Sequence, residues 1–347
     1  MRIGVDVMGG DHAPDAILRG CLDAIPILDA GDELLLIGDQ REIDELLRER
    51  LGKTPVDPRL KIIPTTEIIG MDESPAKAVR SKPDSSIVRM ARLGSHKSEA
   101  PCDVVLSAGN TGACVAAATM HMRRLPNVHR PGIAVTIPAF HGPLVMCDAG
   151  GNPLPRPSHL WQYGLMSEVL AKVQHGIAAP RVGLMNIGSE EGKGTDLIKA
   201  THDLLKRTPN LNYIGYVEGR DLFDGVTDVV ITDGFVGNTL LKMAEGLARG
   251  LFKAVAHEIF TRSPDLGLQL EPVFKEIYRQ NDYHEYGGAP LVGVNGVCMI
   301  LHGSSEAKTV KAAIRNSKNY VQHHVNQSIV ERLAEVAGMV APESEPA

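Results

Sequence analysis

The sequence predicts a three-layer α/β/α sandwich, in which a mainly parallel but mixed sheet lies between two layers of helices. Short aliphatic runs alternate with helical patterns along the chain, which is typical of βαβ units. Glycines, 35 among 347 residues, cluster where those runs end, as strand-to-helix turns require. Hydrophobic residues make up 43% of the chain and aromatic residues only 4%, so we expect a mainly aliphatic core.

The apolar runs define the strands, and the segments between them define the helices. The predicted strands comprise residues 2–7, 34–37, 60–63, 104–106, 133–137, 144–146, 182–187, 213–216, 229–232 and 297–301. A helix is expected near Pro14, because proline lacks the N–H group that a helix start leaves unpaired. A capping box from Asp39 to Glu42 opens another helix, which Gly52 ends.

Two neighbouring strands are expected to form a hairpin. The runs 133–137 and 144–146 are separated by His141-Gly142-Pro143, which indicates a sharp turn and therefore a mixed sheet. We assign all strands to one domain over residues 1–338 and expect a flexible tail at 339–347.

A long apolar helix interrupts this alternation. Apolar residues recur at spacings of three and four over residues 238–260, and a linker over 264–270 precedes another helix through 273–277. We expect a helix-loop-helix over about 238–280 that protrudes as a dimer contact or surface feature. The alternative is an ordinary core helix followed by a loop.

Charge and cysteine content exclude several classes of protein. The formal net charge is -6, from 36 Lys and Arg against 42 Asp and Glu, which argues against general attraction to nucleic acid or anionic lipid. No run of about 18 apolar residues and no leader pattern is present, so we expect a cytoplasmic protein. The five cysteines are widely spaced, which indicates neither a disulfide framework nor a zinc site.

Three motif comparisons fail. The segment 188–195 departs from a phosphate-binding P-loop, because Ile187 stands where the first glycine is required and Gly194 follows the lysine. No G-x-G-x-x-G follows the first strand, and His257-Glu258 lacks the second histidine of a zinc-protease motif. We therefore expect no nucleotide cofactor and no metal.

Polar loops follow several predicted strands. Gly109-Asn110-Thr111-Gly112 precedes a helix, whose free N–H groups and dipole favour an anion. Similar loops occupy residues 148–152, 186–193, 233–238, 295–296 and 302–305. Each loop alone is compatible with ordinary turn chemistry. Because ligands of open α/β sheets bind at the carboxyl ends of strands, the loops together predict an oxyanion or phosphate site.

These segments resemble the bacterial phosphate acyltransferase (PlsX) family of phospholipid synthesis, which makes acyl phosphate from acyl-acyl carrier protein and inorganic phosphate. The matching segments are Val5 to Pro14, Lys77 to Arg80, Ser107 to Ala113, Asn186 to Gly188, Thr232 to Asn238, Tyr286 to Leu291, Gly293 to Gly296 and His302 to Ser305. They follow the family order from residue 3 to about residue 320. Two departures are Gly151, where the family usually has alanine, and Gly192, where it usually has threonine.

The resemblance implies a fold similar to that of the isocitrate and isopropylmalate dehydrogenase superfamily and of phosphotransacetylases. It also implies a homodimer, acyl carrier protein and inorganic phosphate as partners, no nucleic acid, and a downstream glycerol-phosphate acyltransferase as a further partner. Localisation is then cytoplasmic, with peripheral association to the inner face of the membrane.

Roles within the loops follow as a hypothesis. Phosphate is already an anionic nucleophile and a thiolate is a good leaving group, so the enzyme needs only to position the reactants and stabilise an oxyanion. The expected phosphate site comprises Gly109, Asn110, Thr111 and Lys193. The expected amide donors near the thioester are Asn186, Asn238 and Asn295. Asp233 or His12 is the candidate proton acceptor, and His302 the candidate donor to the leaving thiolate.

Acyl carrier protein is acidic, so a negatively charged enzyme needs a local basic surface to bind it. The two candidate clusters are Lys77, Arg80 and Lys82, and Arg123, Arg124 and Arg130. The alternative for both is ordinary solvated charge. The apolar segment 251–270 is the candidate for lipid contact.

Three other functions are compatible with parts of this pattern. A dehydrogenase requires metal-binding carboxylates, and no convincing set is present. A phosphotransacetylase uses the same chemistry on an acyl-coenzyme A donor. A non-catalytic scaffold for carrier protein and membrane requires the basic surface but not the polar loops.

Overall fold

A computed structural model of the chain describes residues 1–280 and 286–340. Within these residues, eleven strands form one sheet: β1 Arg2–Asp6, β2 Glu33–Gly38, β3 Leu60–Pro64, β4 Val104–Ser107, β5 Gly132–Ile137, β6 Leu144–Cys147, β7 Val182–Met185, β8 Tyr213–Val217, β9 Val229–Ile231, β10 Ala289–Val292 and β11 Val297–Ile300. The helices are α1 Asp15–Ala24, α2 Gln40–Leu51, α3 Pro75–Ser81, α4 Ser86–Leu93, α5 Thr111–His121, α6 Pro157–His175, α7 Asp196–Lys206, α8 Gly234–Arg262, α9 Pro264–Gln280, α10 Ala307–Gln322 and α11 Val325–Glu335.

The sheet consists of two parallel blocks that run in opposite directions. The strand order is β3-β2-β1-β4-β11-β10-β5-β6-β9-β7-β8. Strands β1, β2, β3, β4 and β11 are mutually parallel, as are β6, β7, β8 and β9. The three antiparallel pairs β11–β10, β10–β5 and β5–β6 lie between the blocks. The predicted mainly parallel, mixed sheet and its hairpin are confirmed.

Alternating side chains of the strands enter two separate cores. In β2, Leu34 and Leu36 face one layer, whereas Leu35 and Ile37 face the other. The first layer contains α1, α2, α6, α7, α10 and α11. The second contains α3, α4, α5 and the start of α8. The predicted α/β/α sandwich is therefore confirmed.

Local sequence signals account for several helix boundaries. The Asp39 carboxylate accepts a hydrogen bond from the Glu42 N–H at 3.0 Å, as the capping box predicts. Helix α2 ends at Gly52, whose φ of +57° lies in the left-handed region that glycine adopts freely. Pro14 directly precedes α1.

Strand β10 was not among the predicted strands. Two glycines, Gly287 and Gly288, precede it and Pro290 lies inside it, and both residue types weaken a strand pattern. Its position is determined by pairing with β5 and β11, which are distant in sequence.

The predicted linker of the helix-loop-helix is wrong. Helix α8 ends at Arg262 and α9 begins at Pro264, so Ser263 alone separates them. Pro264 starts the new helix because φ of proline suits the first helical position, and the Ser263 carbonyl accepts a hydrogen bond from the Gly267 N–H at 3.0 Å. Helix α8 also begins earlier than expected, at Gly234.

The α8–α9 hairpin exposes apolar side chains. Only Gly234 and Gly237 of α8 are fully buried. Its exposed large apolar residues are Phe235, Met243, Leu247, Leu251, Val255, Phe260, Leu266, Leu268, Val273 and Ile277. Within the described residues, no helix combines the length and the apolar character needed to cross a lipid bilayer.

The predicted flexible tail falls largely outside the described residues, which end at residue 340. Met339 and Val340 are partly buried and pack against the first core.

Two glycine substitutions test the helix packing. A Cβ atom at Gly20 of α1 would lie 2.5 Å from Val310 Cβ and 2.7 Å from the Ala307 carbonyl oxygen of α10. We expect Gly20→Ala to lower the free energy of unfolding by about 1–3 kcal/mol, measured by urea denaturation.

Gly246→Ala is the matched control, because no atom lies within 4 Å of its added Cβ. This substitution is expected to change stability by no more than about 1 kcal/mol, in the stabilising direction. Equal stability of Gly20→Ala and the wild type would contradict the close α1–α10 contact.

Candidate active site

A cleft of about 300 Å³ crosses the face of the sheet that carries α5 and α8. Its apolar floor includes Ile133 and Val135 of β5, Ala289 of β10 and Ile300 of β11, which are three neighbouring strands. Its polar lining residues are Asp11, Thr111, Thr136, Asn238, Lys242, Glu245, Tyr286, His302 and Thr309. Because the two sheet blocks oppose each other, this cleft lies between two sets of strand ends. We call the two ends of the cleft the upper end, which lies at the carboxyl ends of β1, β4 and β11, and the lower end, which lies at those of β6 and β9.

One face of α8 forms a wall of the cleft. Asn238, Leu241, Lys242 and Glu245 all line it, and their spacing of three and four residues places them on one helical face. Glu245 lies seven positions beyond Asn238, which corresponds to about 10.5 Å along the helix axis. Asn238 lies at the lower end beside Gly150, where an added Cβ would be 3.6 Å from Asn238 Cγ.

Asp233 caps α8. Its carboxylate accepts hydrogen bonds from the backbone N–H groups of Phe235 at 3.0 Å and Val236 at 2.9 Å. These bonds satisfy unpaired donors of the helix start. The carboxylate is thus held in a structural role, and Asp233 fixes the position from which Asn238 reaches the cleft one turn later.

Asp148 holds the loop at the lower end of the cleft through hydrogen bonds to backbone N–H groups. Its side chain is buried and accepts hydrogen bonds from the N–H groups of Ile133 at 2.8 Å and Gly151 at 3.0 Å, and a short one from Asn152. Burial raises the pKa of Asp148 to about 6, although these N–H groups favour the charged form. The Asp148 backbone also contacts α8 closely, since a Cβ at Gly237 would lie 2.0 Å from its carbonyl oxygen.

At the upper end, Asn110 is committed to internal hydrogen bonds. Its side-chain oxygen accepts the Ala113 N–H at 3.0 Å and so caps α5. Its side-chain nitrogen donates to the carbonyl oxygens of Gly70, Met71 and Glu73 at 3.1–3.2 Å. These bonds attach residues 70–73 to the mouth of the cleft, where Met71 and Thr111 are lining residues.

A buried carboxylate, Asp6, lies beneath this upper end. It accepts hydrogen bonds from the Ser107 hydroxyl at 2.6 Å and the Met8 N–H at 3.1 Å, while Ser107 Oγ accepts the Gly109 N–H at 3.0 Å. Burial raises the pKa of Asp6. Asp6 was absent from the sequence-based site, although a charged residue inside an otherwise apolar strand was the signal that could have found it.

His302 lies at the upper end and is exposed. Its Nδ1 lies 2.7 Å from Ser304 Oγ and accepts the Ser304 N–H at 3.3 Å. With Nδ1 as an acceptor, the proton of the neutral imidazole resides on Nε2. His12, by contrast, is exposed and does not line the cleft, whereas its neighbour Asp11 does.

Asn186 and Lys193 lie together in the loop that follows β7. The Asn186 side-chain nitrogen donates to the carbonyl oxygens of Gly188 at 3.0 Å and Lys193 at 3.3 Å, which closes the loop. Lys193 Nζ forms an exposed ion pair with Glu190 at 2.8 Å. Lys193 lowers the pKa of Glu190 through this hydrogen bond.

The structure does not assemble Gly109, Asn110, Thr111 and Lys193 into one phosphate site. The first three follow β4 at the upper end, whereas Lys193 follows β7, on the same side of the sheet as the lower end but outside the cleft lining. Six strand spacings separate β4 from β7, which corresponds to about 29 Å. The expectation of a single site assumed that all strands end on one side, and the reversed second block removes that assumption.

Asn295 also lies away from the cleft. It occupies the turn between β10 and β11 and lines a separate cavity with Arg124, His129 and Trp161. Of the predicted site residues, the cleft brings together Thr111, Asn238 and His302. Lys242 and Glu245 are cleft residues that the sequence interpretation missed, because its helix prediction considered only the apolar spacing.

In each of the two basic clusters, two side chains are exposed and the third forms an internal hydrogen bond. Lys77 and Arg80 are exposed on α3, whereas Lys82 Nζ is bound to Glu73 at 2.6 Å and to the Ile68 carbonyl at 2.7 Å. Arg123 and Arg130 are exposed beside the second cavity. Arg124 donates a hydrogen bond to the His129 carbonyl.

Comparison with known proteins identifies the family. A family model described as "Fatty acid synthesis protein" matches residues 1–328. A phosphate acyltransferase from Desulfitobacterium hafniense (strain DSM 10664 / DCB-2) is 45% identical over 337 residues, which cover 96% of this chain and 98% of that protein. The chain belongs to the phosphate acyltransferase family.

Two solved structures show how this phosphate acyltransferase family member is folded. The EutD phosphotransacetylase from Staphylococcus aureus has a TM-score of 0.53 at 14% identity, with 94% of each chain covered. A putative 4-hydroxythreonine-4-phosphate dehydrogenase from Salmonella typhimurium has a TM-score of 0.54 at 10% identity, with 92% and 98% covered. Similarity to both a phosphotransacetylase and a dehydrogenase agrees with the fold that the resemblance implied.

The raised pKa of Asp148 predicts a pH-dependent stability. Asp148 keeps its proton up to about pH 6 in the folded chain and only up to about pH 4 in the unfolded chain. Its contribution to the free energy of unfolding is therefore greatest below pH 4 and declines as pH rises to 6. Relative to Asp148→Asn, we expect the wild-type free energy of unfolding to fall by up to about 3 kcal/mol over that interval. Urea denaturation at pH 4 to 7 measures it.

Asp57→Asn provides a control of opposite sign. A hydrogen bond from Arg59 holds the pKa of Asp57 at about 2. The stabilising contribution of Asp57 to the folded chain is therefore fully present above pH 4 and declines only at lower pH. If the wild type and Asp148→Asn show the same pH dependence between 4 and 6, the assignment to Asp148 is wrong.

Proposed function

We propose that this chain transfers a fatty acyl group from the thioester of acyl-acyl carrier protein to inorganic phosphate. A phosphate oxygen attacks the thioester carbonyl, a C–O bond forms and the C–S bond breaks, and the thiolate leaves and takes up a proton. The products are acyl phosphate and free carrier protein. Membership of the phosphate acyltransferase family supports the reaction, and the elongated cleft with polar groups at both ends is the observation on which the proposal rests.

The lower end is the favoured position for phosphate. Asn238 supplies an amide there. Lys193 lies outside the cleft lining but supplies a cation in the loop after β7, which is a neighbour of β9, the strand that precedes Asn238. Phosphate is an anionic nucleophile at neutral pH, so no side chain needs to activate it. In the proposal, the Asn238 amide donates a hydrogen bond to the oxyanion that develops on the thioester carbonyl.

Proton acceptance by Asp233 or His12 has no support in the geometry, because Asp233 caps α8 and His12 lies outside the cleft. His302 retains its proposed role. Its Nε2–H can reach solvent and the cleft mouth, and a thiolate with an ordinary pKa near 8.5 needs only modest assistance to leave.

The decisive experiment incubates the purified chain with palmitoyl-acyl carrier protein and radiolabelled phosphate. We expect acyl phosphate and free carrier thiol to form in equal amounts and only when phosphate is present. An equal kcat/KM with palmitoyl-coenzyme A would favour a phosphotransacetylase, the function that the fold comparison suggests as second candidate. No product from either donor, with carrier protein still bound, would favour a scaffold.

Lys193 is expected to determine phosphate affinity. Lys193→Met should raise the KM for phosphate at least tenfold, which initial rates at varied phosphate would measure. Glu190→Gln should lower that KM by up to about fivefold, because an exposed ion pair contributes up to about 1 kcal/mol and its loss frees the ammonium group.

Lys206→Met is the matched control, since Lys206 pairs at 3.2 Å with Glu191 of the same loop. An unchanged KM in Lys193→Met would remove Lys193 from the phosphate site.

Lys77 and Arg80 are the favoured contacts for the acidic carrier protein. They follow Pro75, which packs against the start of α5 so closely that a Cβ at Gly112 would lie 2.6 Å from Pro75 Cγ. The pair therefore lies near the upper mouth of the cleft. We expect Lys77→Glu with Arg80→Glu to raise the KM for palmitoyl-acyl carrier protein at least tenfold and to abolish its salt dependence.

Arg123→Glu with Arg130→Glu is the control with the same charge change. If it produces the larger effect, the carrier protein binds at the second cluster instead.

The α8–α9 hairpin supports the two remaining parts of the proposal, a homodimer and peripheral membrane association at the cytoplasmic face. We assign the exposed Met243, Leu247 and Leu251 to contact with a second copy of the chain. We assign Leu266 and Leu268, which begin α9, to lipid contact. Membrane association would also deliver the reactive acyl phosphate to a downstream glycerol-phosphate acyltransferase.

Leu266→Glu with Leu268→Glu tests lipid contact. We expect the variant to lose flotation with anionic liposomes while keeping its rate with soluble donors, because charged side chains oppose burial among acyl chains. Unchanged flotation would contradict lipid contact at this position.

A further inference from the structure

The second cavity, of about 420 Å³, takes no part in the reaction proposed above. Its lining residues Trp161 of α6 and Leu333 of α11 belong to the first core, whereas Ile133 and Ile300 of the cleft floor belong to the second. The sheet lies between these two cores, so the cavity and the cleft are separate. Its volume lies within the range that is typical of small-molecule sites.

One end of the second cavity offers hydrogen-bond donors. Arg124 is half-buried and donates one hydrogen bond to the His129 carbonyl, and no carboxylate among the described residues pairs with it. A backbone bridge between Arg124 and Val294 brings Asn295 beside it. The half-buried Asn295 side chain has no hydrogen-bond partner within the described part of the chain. A cation and an amide without acceptors favour an anionic ligand.

The segment that carries Arg124 has an unusual backbone conformation. Arg123 and Asn127 have φ angles of +71° and +65°, in the left-handed region that few residues other than glycine adopt. The Gln162 side chain holds the segment, because it accepts the His129 N–H at 2.7 Å and donates to the Asn127 carbonyl at 2.7 Å. Such conformations persist where surrounding contacts determine them, and they are concentrated at ligand sites.

The remainder of the second cavity is apolar. Trp161 forms part of its wall, and the indole N–H donates to Thr208 Oγ1 at 2.8 Å, so the ring requires no polar partner from a ligand. The other apolar lining residues include Leu125, Val128, Leu333, Ala337 and Val340. A ligand with one anionic group and an apolar chain matches both parts of the cavity. Inorganic phosphate alone would leave the apolar walls without a contact.

We propose that the second cavity binds the anion of a fatty acyl compound, with the anionic group at Arg124 and Asn295 and the chain between Trp161 and Ala337. A carboxylate and an acyl phosphate share the negative charge and the hydrogen-bond acceptors that this end requires. The inference goes beyond the proposed function, because this site takes no part in acyl transfer. That reaction would supply compounds of this class, namely acyl phosphate and the fatty acid that its hydrolysis releases.

Trp161 provides the probe, since it is the only tryptophan in the sequence. The bromine atom of ω-bromoundecanoate quenches indole fluorescence on close contact. We expect saturable quenching of the wild type below the concentration at which the probe forms micelles. The uncharged ω-bromoundecanol should bind at least about tenfold more weakly, as is typical when a hydrogen bond between charged groups is lost.

Displacement of the probe identifies the preferred anionic group. Undecanoate and undecyl phosphate should both displace it, and the tighter of the two shows whether the site favours a carboxylate or a phosphate group. Inorganic phosphate at the same concentration should leave the quenching unchanged, because it has no chain for the apolar walls.

Three variants separate binding in the cavity from general damage. Ala337 is exposed and lines the cavity, so Ala337→Phe should fill it and abolish the quenching without disturbing the core. Ala334→Phe is the matched control, since Ala334 is exposed on α11 outside the lining, and it should quench as the wild type does. Arg124→Gln should weaken binding of the carboxylate at least about tenfold and leave that of the alcohol unchanged.

Equal binding of the bromo acid and the bromo alcohol would overturn the proposal, as would displacement by inorganic phosphate or full quenching in Ala337→Phe. The test with Ala337→Phe remains informative even where Arg124→Gln fails to fold. The assay contains no acyl donor, so its outcome is independent of whether the chain catalyses the proposed transfer.

Discussion

The reversal of strand direction in the middle of the sheet determines the rest of the architecture. Strands β10 and β5 pair antiparallel with their neighbours, so the two parallel blocks end on opposite sides. In a wholly parallel sheet all helix N-termini and polar loops would gather at one side. Here they gather at both, and the uncovered face above β5, β10 and β11 becomes a cleft that connects them.

Each end of that cleft is organised by a buried carboxylate at the end of a strand. Asp6 completes β1 and, through the Ser107 hydroxyl, fixes the Gly109 N–H, whereas Asp148 follows β6 and binds three N–H groups directly. Burial disfavours both charges, and backbone donors offset part of that cost. The two groups hold glycine-rich loops in place without occupying the surface that a substrate would contact.

Structure that depends on residues close in sequence could be predicted, whereas the pairing of strands that are distant in sequence could not. The Asp39 cap, the α/β/α class and the polar loops follow from local patterns. The separation of Gly109 from Lys193 depends on strand pairing, and β10 is recognisable as a strand only from its partners because Pro290 lies inside it. Glu245 was missed for a related reason. The sequence of its half of α8 is typical of a surface helix, and only the fold brings the loop of His302 to the opposite side of the same cleft.

A cleft with two open ends suits a transfer between a large donor and a small acceptor. In the proposed reaction, phosphate reaches Asn238 from the lower end while the donor enters above, so neither substrate has to pass the other. A donor bound in the cleft would also exclude water from the thioester, which matters because water is the competing nucleophile for the same carbonyl. In this proposal, the opposed strand blocks determine the end from which each substrate enters, and the bound donor favours phosphate over water as the nucleophile.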